Sequence, residues 1–150
     1  MPQSISRVYV HLIFSTKHRQ RWLDDSVRPK VHAYLAVVAR DMGCPYVVVG
    51  GVEDHVHMLM DIGKQALPIN IVAKVKKASS KYIKTFGNEY SNFYWQAGYG
   101  MFSVGPTHLK DVRQYVENQV EHHKRVTFND EFRTFLNRYE IDFDERYVWD

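Results

Sequence analysis

A chain of 150 residues is long enough for one domain around a single hydrophobic core, and we expect residues 1–150 to form one such domain. Hydrophobic residues make up 45% of the chain and charged residues 25%, a balance typical of soluble globular proteins. The formal net charge of +3 permits a nucleic-acid partner without requiring one. A single cysteine, Cys44, excludes an internal disulfide and a cysteine-based zinc cluster within one chain.

The amino-terminal segment lacks the pattern of a signal peptide. Its first apolar run, residues 8–14, is interrupted by His11 and is much shorter than the roughly 20 residues that cross a bilayer. The lone cysteine also fits a reducing compartment. We therefore expect a soluble cytoplasmic protein that has no membrane partner.

The first half of the chain predicts three strands and one helix. Residues 7–16 are rich in β-branched and aromatic side chains and predict the first strand. A helix is predicted from an N-cap at 24–26 to about Met42, where Gly43 follows as a stop signal. The β-branched segment 45–52, a tight turn and the segment 55–62 then predict a hairpin.

The second half predicts a helix over 68–86, a fourth strand over 94–104, a helix over 107–124 and a short helix over 130–139. The resulting order is β-α-β-β-α-β with added helices after it. This order is typical of an α+β, ferredoxin-like split β-α-β sandwich, a four-stranded antiparallel sheet with two helices on one face.

Two histidines occur in the third predicted strand. Alternate residues of a strand face the same side, so His55 and His57 point together and Val56 points away. Two imidazoles placed in this way can hold one divalent ion, although two ordinary histidines in a hairpin give the same pattern. A working site would also need a third ligand and open positions for substrate.

The helix predicted over 107–124 carries a polar stripe beside its apolar seam. Tyr115 and Gln119 are four residues apart, so both project from one face of the helix. They could approach one metal-bound phosphate, but a solvated helix edge would look the same. The stripe also contains His108, Asp111 and His122.

Taken together, the two segments resemble a known family. His55-Val56-His57 resembles the HUH motif, histidine–hydrophobe–histidine, of single-strand DNA nucleases. Tyr115 and Gln119 match the Tyr-x-x-x-Gln signature of the single-tyrosine transposases of the insertion sequence 200/605 family, in that family's order and spacing. The segments 11–19 and 95–104 resemble its first strand with a basic turn and its last strand, so the resemblance covers nearly the whole chain.

The resemblance implies a DNA transposase that cleaves and rejoins single-stranded DNA at the hairpin-bearing ends of an insertion sequence. Tyr115 would attack the scissile phosphodiester and form a 5′-phosphotyrosine, while His55, His57 and Gln119 would hold Mg²⁺ or Mn²⁺. The resemblance also implies a homodimer in which the tyrosine helix of one subunit completes the site of the other. The Gly-Pro pair at 105–106 would be the joint for this exchange, although an ordinary turn explains the pair equally well.

Basic and aromatic side chains are candidates for contact with DNA. The basic ones follow the first strand or recur along the second helix, where they could contact phosphates or simply be solvated. The candidate DNA-binding residues are Lys17, Arg19, Arg21, Lys74, Lys77 and Lys81. The fourth strand offers Tyr94, Trp95, Tyr99 and Phe102 for stacking on bases, although most strand aromatics belong to a core.

Three alternatives stay open. A non-catalytic nucleic-acid-binding module of the same topology would carry exposed aromatics on its central strands, where this chain has His55 and His57. A domesticated relative would act on chromosomal palindromes. A metal-dependent hydrolase would keep the two histidines without needing Tyr115. His122 and His123 could assist such sites or lie in solvent.

Overall fold

Four antiparallel strands form the central sheet of the structure, a computed structural model that describes residues 2–150. The strands are β1 (Tyr9–Ser15), β2 (Tyr46–Gly51), β3 (His55–Asp61) and β4 (Gly100–Val104), in the spatial order β2-β3-β1-β4. Helix α1 (Arg28–Asp41) joins β1 to β2, and helix α2 (Pro68–Lys84) joins β3 to β4. The predicted α+β, ferredoxin-like split β-α-β arrangement is therefore confirmed. No helix within residues 2–150 has the length and apolar character needed to cross a bilayer.

The first face of the sheet is apolar and packs against α1 and α2. Leu12 and Phe14 of β1 and Met58 of β3 are fully buried there, in one core with Val31 and Ile71 of the two helices. Each fully buried side chain of this size contributes about 1.5–3 kcal/mol to stability. This face of the sheet, together with α1 and α2, forms the larger hydrophobic core of the domain.

Because side chains alternate across a strand, the remaining strand residues point to the second face, which carries both apolar and polar side chains. It is covered by three further helices, α3 (Leu109–Glu117), α4 (Gln119–His122) and α5 (Phe128–Arg138). The apolar part of this layer consists of Ile13, Phe102, Phe128, Phe132, Phe135 and Leu136. The polar part contains His11 of β1 with His55 and His57 of β3, all of them buried.

The fourth strand is shorter than predicted, because it begins at Gly100 and not at Tyr94. Before it, Trp95 makes one isolated bridge with Thr16, and its indole nitrogen donates to Ser79 Oγ at 2.9 Å. Lys76 Nζ donates to the carbonyl oxygens of residues 96, 97 and 98 at 2.7, 3.2 and 2.7 Å. The Lys76 ammonium group thus donates the hydrogen bonds that a neighbouring strand would otherwise supply to these carbonyl oxygens. Burial lowers the pKa of Lys76 to about 8.

The helix predicted over 107–124 is interrupted. A 3₁₀ turn at Pro106–His108 precedes α3, and Asn118 separates α3 from α4 with φ −103° and ψ 27°. Asparagine competes with the helix through local hydrogen bonds and is tolerated at such ends. The last helix begins at Phe128, two residues before the predicted start, and the Thr127 hydroxyl accepts from Asp130 N at 3.2 Å.

Gly50 of β2 sets the distance between the sheet and α3. A Cβ at this position would lie 1.8 Å from the carbonyl oxygen of Val116, a backbone atom that cannot move without its helix. The Val116 side chain is itself fully buried. The absence of a side chain at Gly50 therefore allows the helix that carries Tyr115 to approach the sheet closely.

We expect Gly50→Ala to push α3 away from β2 and to lower the free energy of unfolding by about 1–3 kcal/mol. Thermal or denaturant unfolding measures this decrease. Gly105→Ala is the matched control, because a Cβ there meets no atom closer than His108 Nδ1 at 3.7 Å. A Gly50→Ala protein as stable as the control would contradict the close approach.

Candidate active site

His55 and His57 lie in the first half of β3, the strand at the centre of the sheet beside β1. The structure places both side chains on the second face, with ring centroids 5.1 Å apart, while Val56 belongs to the opposite core. Both imidazoles are 0% exposed. The geometry that alternation predicts for this strand is therefore present, and it lies beneath the late helices.

Two residues from those helices join the pair. His123 follows α4, and Glu131 projects from α5 toward the sheet. His55 Nε2 lies 2.9 Å from His123 Nε2, and His57 Nε2 lies 3.0 Å from Glu131 Oε1. One ligand-type atom from each of these four residues lies within 4.8 Å of the other three. Imidazole nitrogens and a carboxylate oxygen are common metal ligands, so the group could hold a divalent ion.

The outer nitrogen of each imidazole also has a partner. Nδ1 of His55 lies 2.7 Å from Asp54 Oδ1, and Nδ1 of His123 lies 2.7 Å from the carbonyl oxygen of Val126. His57 Nδ1 lies 2.7 Å from Nε2 of His11. Such outer hydrogen bonds orient metal-binding histidines and fix their tautomers. They point the inner nitrogens toward a shared space.

Burial keeps the central imidazole neutral. It lowers the pKa of His57 to about 4, although the nearby Glu131 carboxylate opposes this shift. Neutral imidazole is the form that binds metal ions. Burial alone would raise the pKa of Glu131, but hydrogen bonds from His123 and His57 outweigh that effect and hold this pKa well below its ordinary value. The carboxylate is therefore ionised inside a mostly dry cluster.

Tyr115 of α3 lies against the same cluster. Its ring centroid is 5.7 Å from that of His57, and its hydroxyl donates to Glu131 and lies 3.2 Å from His122 Nε2. Burial, together with the Glu131 carboxylate, raises the pKa of Tyr115 well above its ordinary value. The phenol is therefore protonated at neutral pH. The tyrosine helix covers the histidines of its own chain.

Gln119 begins α4 and is 1% exposed. Its amide nitrogen donates to the carbonyl oxygen of Tyr115 at 2.8 Å, whereas its Oε1 atom is buried without a hydrogen-bond partner within residues 2–150. Buried acceptors are nearly always paired, because leaving one unpaired costs about 1–3 kcal/mol. The unpaired oxygen is consistent with a ligand role for Gln119, which stays a prediction.

Sequence reasoning did not single out Glu131, and it left His123 open. A signal for Glu131 was present, since Phe128, Phe132 and Phe135 define the apolar face of α5 and Glu131 lies on that same face. A lone carboxylate on an apolar helix face must find a buried partner. The sequence does not show which residues on other elements supply that partner.

Two concave surfaces lead to the cluster. A cavity of about 400 Å³ beside Tyr115 is lined in part by His122, Glu131 and Arg138. A groove of about 590 Å³ reaches His123 from the other side. Its charged lining consists of four basic residues, Arg21, Arg28, Lys124 and Arg125, and three acidic ones, Asp25, Glu53 and Asp54. The groove is therefore of mixed charge, with basic side chains available to a phosphate.

The candidate DNA-binding residues divide between the two layers of the domain. Arg21 lines the groove beside His123, and Lys17 is exposed in the turn after β1. Arg19 of the same turn donates to the carbonyl oxygen of Trp149 at 3.3 Å. The stripe on α2 is exposed but belongs to the layer opposite the histidines, and its members are Lys74, Lys77 and Lys81. Proximity to the histidines therefore favours the turn after β1 over the α2 stripe as a contact surface for DNA.

The aromatic candidates also divide. Trp95 and Phe102 are 8% and 3% exposed and belong to the two cores. Tyr94 and Tyr99 are 56% and 42% exposed. The ammonium groups of Lys17 and Lys84 lie 5.8 and 4.4 Å from the ring centroid of Tyr94, which leaves an aromatic surface flanked by positive charge.

Comparison with known proteins places the chain among the transposases, enzymes that cut DNA. Within that class it belongs to the family of IS200-like transposases, whose family model matches residues 4–119. The resemblance seen in the sequence is thereby confirmed. His123 and α5 lie beyond the matched residues.

Two solved structures share the fold. A protein assigned as a transposase from Deinococcus radiodurans R1 superposes with a TM-score of 0.62 at 25% identity, over 79% of this chain and 98% of that one. The REP-associated tyrosine transposase, solved bound to a REP hairpin, superposes with a TM-score of 0.51 at 16% identity, over 77% of this chain and 66% of that one. No curated protein matches the chain.

Proposed function

We propose that this protein cuts and rejoins single-stranded DNA at insertion-sequence ends, through a covalent bond between Tyr115 and a 5′-phosphate. The observation that carries the proposal is the position of the Tyr115 hydroxyl, which is hydrogen-bonded to Glu131 beside the buried pair His55 and His57. A nucleophile next to a potential ion site is the arrangement that phosphoryl transfer requires. Membership of the transposase family supports the same conclusion.

In the cleavage step the phenolic oxygen of Tyr115 attacks the scissile phosphorus, and the bond to the 3′-oxygen breaks. The DNA 5′-phosphate is then esterified to the tyrosine, and the other strand end leaves with a 3′-hydroxyl. The phenolic proton passes to His122, whose Nε2 lies 3.2 Å from the hydroxyl, and the departing 3′-oxygen takes up a proton to become the hydroxyl. In the rejoining step a 3′-hydroxyl attacks the phosphotyrosine. The ester bond conserves the energy of the original phosphodiester, so no nucleotide cofactor is needed.

We propose that His55, His57 and Gln119 hold Mg²⁺ or Mn²⁺. The inward-facing nitrogens and the unpaired Gln119 oxygen support this proposal. A divalent ion bound there would polarise the phosphate oxygens and stabilise the charge that develops on them. The protein's own part is to hold neutral imidazoles in place and to keep the site largely closed to water.

The subunit arrangement is also a proposal. A homodimer that exchanges its tyrosine helices would bend at Gly105 and Pro106, where the chain leaves β4. In the single chain, however, Tyr115 already lies over His57 of the same chain. This contact supports placement of Tyr115 beside the histidines of its own chain, and an exchanged helix in a homodimer is the other arrangement.

The DNA substrate is proposed to be a single strand with a hairpin. One solved relative is bound to a REP hairpin, and this chain has four basic side chains in the groove beside His123 and an exposed ring at Tyr94. Phosphates would bind the groove, and an unpaired base could stack on the ring. The same relative favours a second candidate function, the same chemistry on repeat hairpins that are not the ends of the protein's own element.

The decisive experiment uses a single-stranded hairpin oligonucleotide labelled at its 3′ end, with Mn²⁺ or Mg²⁺. A 5′-phosphotyrosine would retard the labelled fragment on a denaturing gel until protease removes the protein. The released upstream fragment would carry a 3′-hydroxyl that a polymerase extends. Cleavage without a retarded band would favour a hydrolase, and binding without cleavage would favour a non-catalytic module.

Replacing the basic residues should weaken DNA binding in a salt-dependent way. The slope of the logarithm of the DNA association constant against the logarithm of salt concentration is negative. We expect the triple variant Lys17→Ala, Arg19→Ala, Arg21→Ala to reduce the magnitude of this slope by about 0.7 for each phosphate that is no longer neutralised. Fluorescence anisotropy with a single-stranded oligonucleotide measures the slope, and Lys30→Ala, an exposed lysine of α1, is the control. The triple Lys74→Ala, Lys77→Ala, Lys81→Ala tests the α2 stripe separately. Unchanged slopes would remove these residues from the interface.

A further inference from the structure

We propose that the cavity of about 400 Å³ beside Tyr115 binds one unpaired nucleobase, that of the nucleotide whose 5′-phosphate becomes joined to Tyr115. The inference deepens the proposed function, on which it rests for the identity of that nucleotide. It names Asp111 of α3 and Arg138 of α5 as the residues that contact the edge of the base.

The position of the cavity carries the first step. The Tyr115 hydroxyl contacts Glu131 and His122, and all three residues line the cavity. The cavity therefore begins at the atom that attacks phosphorus in the proposed mechanism. A nucleotide esterified to this oxygen holds its own sugar and base next to the cavity, so the base either enters the cavity or stays in water beside it.

The walls of the cavity carry the second step, because they are mostly apolar. The rings of His11 and Tyr115 each meet the Phe135 ring edge to face, with centroid distances of 5.1 and 6.0 Å. Val112 and Val126 add aliphatic surface. Ligand pockets in proteins typically combine such an apolar lining with a few polar groups. A planar base that enters removes this surface from water, and this removal favours binding.

Two charged side chains at the cavity are available to a ligand. Asp111 and Arg138 are exposed, and neither side chain makes a hydrogen bond or an ion pair within residues 2–150, whereas Arg133 of the same α5 is paired with Glu145. The Arg138 guanidinium lies 5.5 Å from the ring centroid of Phe135. It therefore lies beside the apolar wall, where a guanidinium plane can also stack on a base.

The hydrogen-bonding types of these two groups favour a base over a further phosphate. A carboxylate only accepts hydrogen bonds, and a guanidinium only donates them. A phosphate diester has acceptors alone, so it offers no donor to Asp111 and is repelled by the negative charge. A nucleobase is uncharged and has both donors and acceptors along its edges, so it offers a donor to Asp111 and an acceptor to Arg138.

The first measurement removes one base at a time from the DNA. A single-stranded hairpin oligonucleotide is made with an abasic nucleotide at each unpaired position in turn, and its binding to the full chain is measured by fluorescence anisotropy, with a chelator present so that no strand is cut. We expect affinity to fall by about 10-fold at one position that depends on the cavity. The adduct formed with Mn²⁺ should contain the 5′-phosphate of that same nucleotide.

Variants of α5 connect this position to the cavity. Thr134 is exposed and lines the cavity, so Thr134→Phe should fill it and reduce the effect of base removal at that position to less than about 2-fold. Asn137→Phe is the matched control, because Asn137 is exposed on the same helix and does not line the cavity, and it should keep the 10-fold effect. Asp111→Ala and Arg138→Ala should each reduce the effect to about 3-fold.

Circular dichroism confirms that the variants fold. If Thr134→Phe does not fold, the two alanine variants decide, since both replace exposed side chains. An effect of base removal that is the same in Thr134→Phe as in the unmodified chain would overturn the proposal. A changed oligomeric state of Thr134→Phe, with the effect of base removal unchanged, would assign the cavity to a second copy of the chain and would also overturn it.

Two further results would contradict the proposal. One is an oligonucleotide in which no unpaired base matters for binding, and the other is a cavity-dependent base on a nucleotide that is not joined to Tyr115. Both leave the adduct test of the proposed function intact, because that test needs only the phosphotyrosine. Conversely, a cavity-dependent base in a protein that forms no adduct would retain the base-binding cavity and overturn the proposed chemistry.

Discussion

Tyr115→Phe is expected to abolish the covalent protein–DNA adduct and to lower strand cleavage by about 10³-fold or more. The variant removes only the phenolic oxygen, which is the atom that attacks phosphorus in the proposed mechanism. The ring keeps its packing against His57 and Phe135, whose centroids lie 5.7 and 6.0 Å away. Glu131 keeps its hydrogen bonds to His57 and His123. The fold should therefore survive, and the defect should be chemical.

The measurement is the retarded band formed by a 3′-labelled single strand on a denaturing gel. Tyr139→Phe is the matched control, since its hydroxyl donates to the Ser103 carbonyl at 2.6 Å, away from the histidines. The control should form the adduct at the normal rate. An adduct of normal yield with Tyr115→Phe would assign the nucleophile to another residue.

His57→Ala has the second large expected effect, because it acts on chemistry and on stability together. Removing this proposed ligand should lower metal-dependent cleavage by about 10²-fold or more. It also leaves a cavity and removes a hydrogen bond to the buried Glu131 carboxylate, so we expect the free energy of unfolding to fall by about 2–4 kcal/mol. Cleavage rates at a temperature where the variant is folded, together with denaturant unfolding, measure the two effects.

His32→Ala is the control for His57→Ala. His32 is a partly buried imidazole of α1, in the layer opposite the site, and burial lowers its pKa to about 4. Its replacement should cost some stability and leave cleavage unchanged in the folded protein. An equal decrease of cleavage in both variants would mean that His57 acts through stability alone.

The parts of the structure that could be predicted from the sequence are those governed by local periodicity. The alternation of β3 places His55 and His57 on one face. The four-residue spacing of Tyr115 and Gln119 predicts one helical stripe, which the break at Asn118 divides between α3 and α4. The sheet order then followed from the β-α-β-β-α-β pattern. None of these inferences needs knowledge of distant contacts.

The parts that could not be predicted depend on such contacts. The segment before Gly100 has the composition of a strand, but Lys76 of α2 binds the carbonyl oxygens of residues 96 and 98, and only an isolated bridge at Trp95 links the segment to the end of β1. The local sequence around Glu131 predicts a helix, but it does not identify the partners of the Glu131 carboxylate. These partners, His57 and His123, are 74 and 8 positions away in the chain. Helix and strand propensity and hydrophobic periodicity describe only the element to which a residue belongs. They therefore do not predict these tertiary partners.

The close approach of α3 shows how a single position links fold and chemistry. Gly50 has no side chain, so the Val116 backbone packs directly on β2, and Tyr115 is the residue immediately before Val116. A shift of α3 by the width of a methyl group would move the phenol away from Glu131. Catalytic geometry tolerates displacements of this size poorly, because reacting atoms must lie about 3–3.5 Å apart.

Mass spectrometry of the trapped adduct tests the central claim most directly. The protein is incubated with a single-stranded hairpin oligonucleotide and a divalent ion, denatured, and digested with protease and nuclease. We predict one modified peptide, with a nucleotide joined through its 5′-phosphate to the oxygen of Tyr115. A nucleotide on any other residue, or complete cleavage with no modified peptide, would contradict the account.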